Sequence, residues 1–342
     1  MSDFLSQVSR RRASPGGLAE PTRLPWRGIL LALLLLGMAW VVVYYVRGYV
    51  AFQFALVVAY AVALMGVQFL IGSSGQISLG HGAFFAIGAY TAAMLIDRGW
   101  APYWLTIPAA GVVGFVAGGL FGMPAVRLSG PYLALATFAL ALALPQVLKH
   151  PALEGVTGGV AGISIETPAP PYGLPLDADQ WMLLVVSACA LLIYAMVRRL
   201  LRGPTGIALR ALRDHPAAAL AAGVPVRQWR ARAFATSAGI VGMAGAMNAL
   251  LTHFVSPDGF TVLLSLGLVA GVVVGGTGHA IGSLIGALFL VFVPNVAEEV
   301  SKAATGLVYG ALMLGCVFLA PNGLAGLLSW CTDKLRSKDT LR

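Results

Sequence analysis

The chain has 342 residues, of which 58% are hydrophobic and only 10% charged, with a formal net charge of +9. Soluble domains carry roughly 25% charged residues, so this composition excludes an ordinary soluble enzyme or binding module. Nor does the positive charge point to nucleic acid, because the basic residues gather in the tails and in the segments that connect apolar runs.

Residues 1–27 form a polar tail with Arg10, Arg11, Arg12, Arg23 and Arg27. No small-residue cleavage pattern interrupts the apolar run that follows, so the start reads as an uncleaved anchor. Apolar runs then lie near 28–46, 51–71, 76–96, 103–125, 130–148, 180–197, 233–252, 262–280, 281–297 and 304–320. Each is close to the roughly 20 residues a helix needs to cross a hydrocarbon core about 30 Å thick. The expected fold is all-α: a polytopic helical membrane protein of about ten spans, with a transmembrane domain over 28–328 and a short tail at 329–342. With the N-terminus cytoplasmic, most Lys and Arg fall on the inner side, and only Arg47, Arg98, Lys149 and Lys302 fall outside. That asymmetry orients membrane proteins and puts both termini inside.

The stretch 72–90, GSSGQISLGHGAFFAIGAY, is too polar and too rich in glycine for a plain span. Non-helical backbone at membrane depth is tolerated only against protein or a water-filled cavity. Gly72, Gly75, Gly80 and Gly82 permit either unwinding or close helix approach. Gln76, Ser78 and His81 are candidates for lining a polar path, and a helix starting near Gln76 would aim its amides at the membrane interface. Tight packing of small residues is the competing reading. A second segment of this kind, VVVGGTGHAIGSLIGALF at 272–289, carries Gly275, Gly276, Thr277, Gly278 and His279. Paired glycine-interrupted segments in two halves of a transporter flank its pathway, and Asn248 joins the candidate list. The expected topology puts both breaks toward the inner side.

Two loops stand out. The outer loop at 150–179 is rich in Gly and Pro, and its length and turn chemistry predict an ordered platform around Gly158, Gly159 and Gly162. The inner loop at 198–232 predicts two short helices bounded by breakers. Ile207 and Ala211 form the apolar side of the first, and Arg210 and Arg213 lie elsewhere on it. Pro216 opens the second, with Asp214 near its start. This knob suits either a partner's groove or an anionic lipid surface. The ten runs contain no Asp, Glu, Lys or Arg, which argues against an ion-coupled carrier, whose path needs ionisable groups. No metalloprotease or serine-hydrolase motif appears. Cys189, Cys316 and Cys331 are too scattered for a disulfide framework or a zinc site.

At these residues the chain resembles a known family. GSSGQISLGHGAFFAIGAYTAA (72–93), GGVAGI (158–163), the loop and helix at 203–247, SPDGF (256–260), VVGGTGHAIGSLIGA (273–287) and YGALMLGCVFLAPNGLAGLL (309–328) carry the likeness. It is to the permease subunits of branched-chain amino-acid ABC importers, in particular the M-type (LivM-like) subunit. The resemblance implies an inner-membrane subunit that pairs with a homologous H-type permease, receives solute from a periplasmic binding protein at 158–162, and is driven by two cytoplasmic ATPases. It makes 203–228 the coupling region, with Gly206, Arg210, Arg213, Asp214 and Arg227 as contacts. ATP and magnesium then belong to the partners, and this chain has no cofactor of its own, in keeping with its lack of a phosphate-binding loop. Relatives within the family carry urea, short amides or aromatic carboxylates. A stand-alone channel for a small neutral solute is the alternative of another class.

Overall fold

The computed structural model describes residues 48–125, 127–128, 130–166, 170, 176–276, 280–300, 302, 305–319, 323–324 and 326. The basic tail and the first expected span, 28–46, lie outside the described residues.

The uncharged run after Gly48 forms α1 (Tyr49–Phe69), which continues as a π-helical turn over Leu70–Ser74. Helices α2 (His81–Asp97), α3 (Tyr103–Ala125) and α4 (Pro131–Leu148) follow, and Pro131 occupies the first turn of α4, where a missing amide costs nothing. The short helix α5 (Glu154–Thr157) and strand β1 (Ile163–Ser164) order the first long loop. Then comes α6 (Ala178–Arg202), which starts at a reciprocal cap: the Asp177 amide donates to Gln180 Oε1 at 3.0 Å. Beyond it lie α7 (Pro204–Asp214), α8 (Pro216–Ala221) and the long α9 (Val226–Thr252). Strand β2 (Phe254–Val255) pairs antiparallel with β1, Ile163 opposite Val255. Helices α10 (Val262–Gly275), α11 (Ala280–Val300) and α12 (Thr305–Leu319) complete the described chain.

Helix α9 is the buried axis of the bundle and packs against α1, α2 and α3. Lipid is as apolar as Leu, so helices in a membrane gain by close packing of small residues rather than by hydrophobic exclusion. Gly88 on α2 lies against the Gly242 carbonyl on α9, so close that a Cβ would overlap it. A Cβ at Gly114 on α3 would come within 2.8 Å of the Ala238 carbonyl. Large apolar side chains such as Val112, Leu120, Leu135 and Leu142 face outward from α3 and α4.

Seven helices among the described residues are long and apolar enough to cross a membrane. Two of the expected spans are shorter than predicted. The run 76–96 becomes helical only at His81, and the run 262–280 stops at Gly275. In both places glycine with positive φ turns the chain, Gly75 at 68° and Gly276 at 96°.

Candidate functional site: two broken helices above a surface knob

The first break is held by side chains that replace helical hydrogen bonds. Ser73 and Ser74 donate to the carbonyls of Phe69 and Leu70, one turn back, the second at 2.8 Å. Such back-bonding bends helices. Gly75 then adopts the left-handed conformation, and the Leu79 amide donates to Thr137 Oγ1 on α4 at 3.0 Å. The Gly82 amide, in the first turn of α2, donates to Ser265 Oγ on α10 at 2.9 Å. The expected helix start at Gln76 is therefore corrected to His81, and a hydroxyl on α10 already occupies an amide that could have met an anion.

Ser78 and His81 are fully buried. His81 Nε2 lies 2.8 Å from Ser237 Oγ, and that hydroxyl donates to the Gly66 carbonyl at 2.7 Å, so the group pins α2 and α9 to α1. These two residues sit within helix packing. Gln76 is different: it lines a cavity of about 270 Å³ together with Arg230 of α9 and the start of α4. Asn248 lies near the far end of α9 and does not join them; its carbonyl accepts from Thr252 Oγ1 at 2.9 Å.

The second break begins at Gly275 and Gly276. Gln68, just before the π-turn, donates through Nε2 to the Gly276 carbonyl at 3.4 Å and accepts from Ser283 Oγ at 2.5 Å. One amide side chain thus joins the two breaks. Thr277, Gly278 and His279 lie outside the described residues.

The knob touches the first break. Arg213 Nη1 donates to the Gly72 carbonyl at 2.6 Å, while its Nε pairs with Asp214 at 2.9 Å. The expected apolar side of α7 is corrected. Ile207 and Ala211 are exposed, and Gly206, Leu209 and Leu212 are buried. Gly206 has no room for a Cβ against the Leu201 carbonyl, which turns that side of α7 toward α6. Arg210 donates to the same carbonyl at 3.1 Å, and Arg227 is exposed. Asp214 closes α7 and does not cap α8, whose N-cap is His215.

The opposite end carries the outer loop. Gly158, Gly159 and Gly162 all have positive φ, and Thr157 Oγ1 donates to the Leu148 carbonyl at 2.8 Å. Lys149 pairs with Asp258, Arg98 reaches the Gly155 carbonyl at 3.4 Å, and β1 clasps β2. This is an ordered platform. His253, which ends α9 at φ 58°, stands beside it; burial lowers its pKa below the ordinary 6.5, and the Asp179 charge opposes that shift. Sequence reading missed Gln68, Thr137, Arg230, Ser237, Ser265 and Ser283. For five of them the available signal was a polar side chain inside an apolar run, whereas Arg230 sits in the basic segment that precedes the run at 233–252.

Glycine-broken helices packed on a long small-residue axis and tied to a surface knob, with no fully buried charged side chain among the described residues, define a polytopic transport permease. The match is specific. The family model for the permease component of branched-chain amino acid transport systems covers residues 49–317, and the chain belongs to that family. It is 33% identical to the high-affinity branched-chain amino acid transport system permease protein LivM of Escherichia coli K12, over 86% of this chain and 74% of that protein. Two Methanocaldococcus jannaschii proteins, probable branched-chain amino acid transport permeases LivM and LivH, are each 28% identical. The alignments cover 64% of this chain and 67% of that LivM, and 72% of this chain and 82% of that LivH. No solved structure matches the chain.

Proposed function

We propose that this chain is one of two homologous permease subunits forming the pathway of an ATP-driven importer in the bacterial inner membrane. Its solute is a branched-chain amino acid or a related small polar amino acid, delivered by a periplasmic binding protein to the platform at 150–166. ATP is hydrolysed by two cytoplasmic partner chains seated on α7 and α8. The observation that carries this reading is the Arg213–Gly72 contact, because it joins an exposed docking helix to the end of a broken membrane helix. Exposed Ile207 and Arg210 on α7 and exposed Leu220 on α8 give that helix pair a mixed apolar and basic surface suited to a partner's groove. Displacing α7 would then pull on the π-turn, and through Gln68 on the second break.

Reconstitution tests it. The permease pair with its ATPases and binding protein is expected to take up leucine only with ATP, and this chain alone is expected to pass none. Leucine flux through the isolated chain would overturn the importer reading in favour of a channel.

A further inference from the structure

The cavity beneath the first break has two kinds of wall. Ile77, Leu128 and Leu133 are apolar, whereas Gln76 and Arg230 are polar. Gln76 is 6% exposed; its Nε2 donates to Ser74 Oγ at 2.9 Å and to the Arg230 carbonyl at 3.3 Å. Its Oε1 is buried without a hydrogen-bond partner, and so is Arg230 Nε. A third polar element is the start of α4, where Gly130 stands at the N-cap and offers no side chain to the first-turn amides. Buried polar groups are almost always paired. Two residues that line one cavity beside a helix N-terminus thus each carry a buried, unpaired polar atom, an acceptor on Gln76 and a guanidinium donor on Arg230, which marks a place for a ligand bearing both charges.

We propose that this cavity is a binding site for a zwitterionic aliphatic amino acid on the side of the molecule that carries α7. The carboxylate faces the Arg230 guanidinium and the α4 amides, where a helix N-terminus favours an anion. The ammonium faces Gln76 Oε1, and the aliphatic side chain lies against Leu128 and Leu133. The volume, about 270 Å³, is below the roughly 300 Å³ at which pockets for drug-sized ligands begin, and so suits a solute the size of an amino acid. The proposal rests on the importer reading and adds to it a solute site on the release side. Gly75 forms part of the cavity wall and packs against Arg213, so an occupant sits next to the coupling contact.

The test uses the assembled permease–ATPase complex in nanodiscs, without binding protein, and equilibrium dialysis with radiolabelled leucine. Leucinamide, which lacks the carboxylate, and 4-methylpentanoate, which lacks the ammonium, serve as competitors. Leucine is expected to bind, and each analogue to compete at least about tenfold more weakly. Arg230→Gln is expected to weaken leucine at least about tenfold and to abolish its advantage over leucinamide. Analogues that compete as well as leucine, or an Arg230→Gln affinity equal to wild type, would overturn the site. Should Arg230→Gln fail to assemble, the analogue series on the wild-type complex decides. The same preparation is assayed with binding protein for ATP-driven leucine uptake. A complex that imports but binds no leucine sinks the site alone, whereas absence of import sinks the importer reading.

Discussion

Arg213 on the surface helix α7 donates to the carbonyl of Gly72 at 2.6 Å, where α1 has just lost its regular hydrogen bonding. The bond is exposed to solvent, which screens its charge, so it contributes about 0.5–1.5 kcal/mol. That overlaps the lower end of the coupling energies, about 1–3 kcal/mol, by which one site biases another. On the proposed importer reading, a contact of this size is weak enough to be made and broken during a transport cycle.

Arg213→Ala is expected to leave the ATPases bound while lowering leucine uptake per ATP hydrolysed by at least about fivefold. Ile207→Asp with Arg210→Glu is expected to do the reverse and remove the ATPases from the purified complex. Uptake and hydrolysis measured on the same proteoliposomes check the first, and co-purification checks the second. Normal coupling in Arg213→Ala would discard the role assigned to its contact.

Gly88 and Gly242 bring the backbones of α2 and α9 together with no space for a side chain. Gly88→Leu is expected to cost at least about 1–3 kcal/mol through overpacking, seen as a lowered melting temperature in detergent. A Cβ at Gly72 would meet nothing within 4 Å, and the residue has no positive φ. Gly72→Ala is expected to stay within about 0.5 kcal/mol of wild type.

Ser237→Ala removes the hydroxyl that bridges His81 and the Gly66 carbonyl. The Gly66 carbonyl still accepts from the Leu70 amide, so His81 Nε2 is the buried group that loses its partner, at a cost of about 1–3 kcal/mol. Thermal unfolding of the purified complex measures it. A variant as stable as wild type would show that the bridge contributes nothing.

His253 binds its proton less readily when folded than when unfolded, because burial disfavours the imidazolium. Its contribution is full above the unfolded value of 6.5 and is lost as pH falls below it, levelling off below the folded value. His253→Asn, which tolerates the left-handed conformation, is expected to flatten the fall in melting temperature between about pH 7.5 and pH 5.5. Parallel curves for the two proteins across that range would rule out this histidine as the source.

The helices and the breaks were legible in the sequence for a simple reason. A segment in lipid must satisfy its own backbone, so spans announce themselves by length and apolarity, and departures from helix by clustered Gly, Ser and His. The knob was legible from its breakers, Gly203-Pro204 and Gly223-Val224-Pro225. Its orientation was not. Whether Ile207 or Leu209 faces inward depends on which side of α7 can approach Leu201, and Gly206 decides that only in three dimensions.

The amino-acid order by itself determined that this is a helical membrane chain with two glycine-rich interruptions and a basic surface loop, because hydropathy and breakers act locally. Only the tertiary structure decided that Ser78 and His81 serve packing while Gln76 faces a cavity, and that Gln68 and Arg213 link the interruptions to each other and to the knob. Hydrogen bonds between residues 141 or 208 positions apart depend on how α1, α7 and α10 are brought together, and no local pattern carries that information.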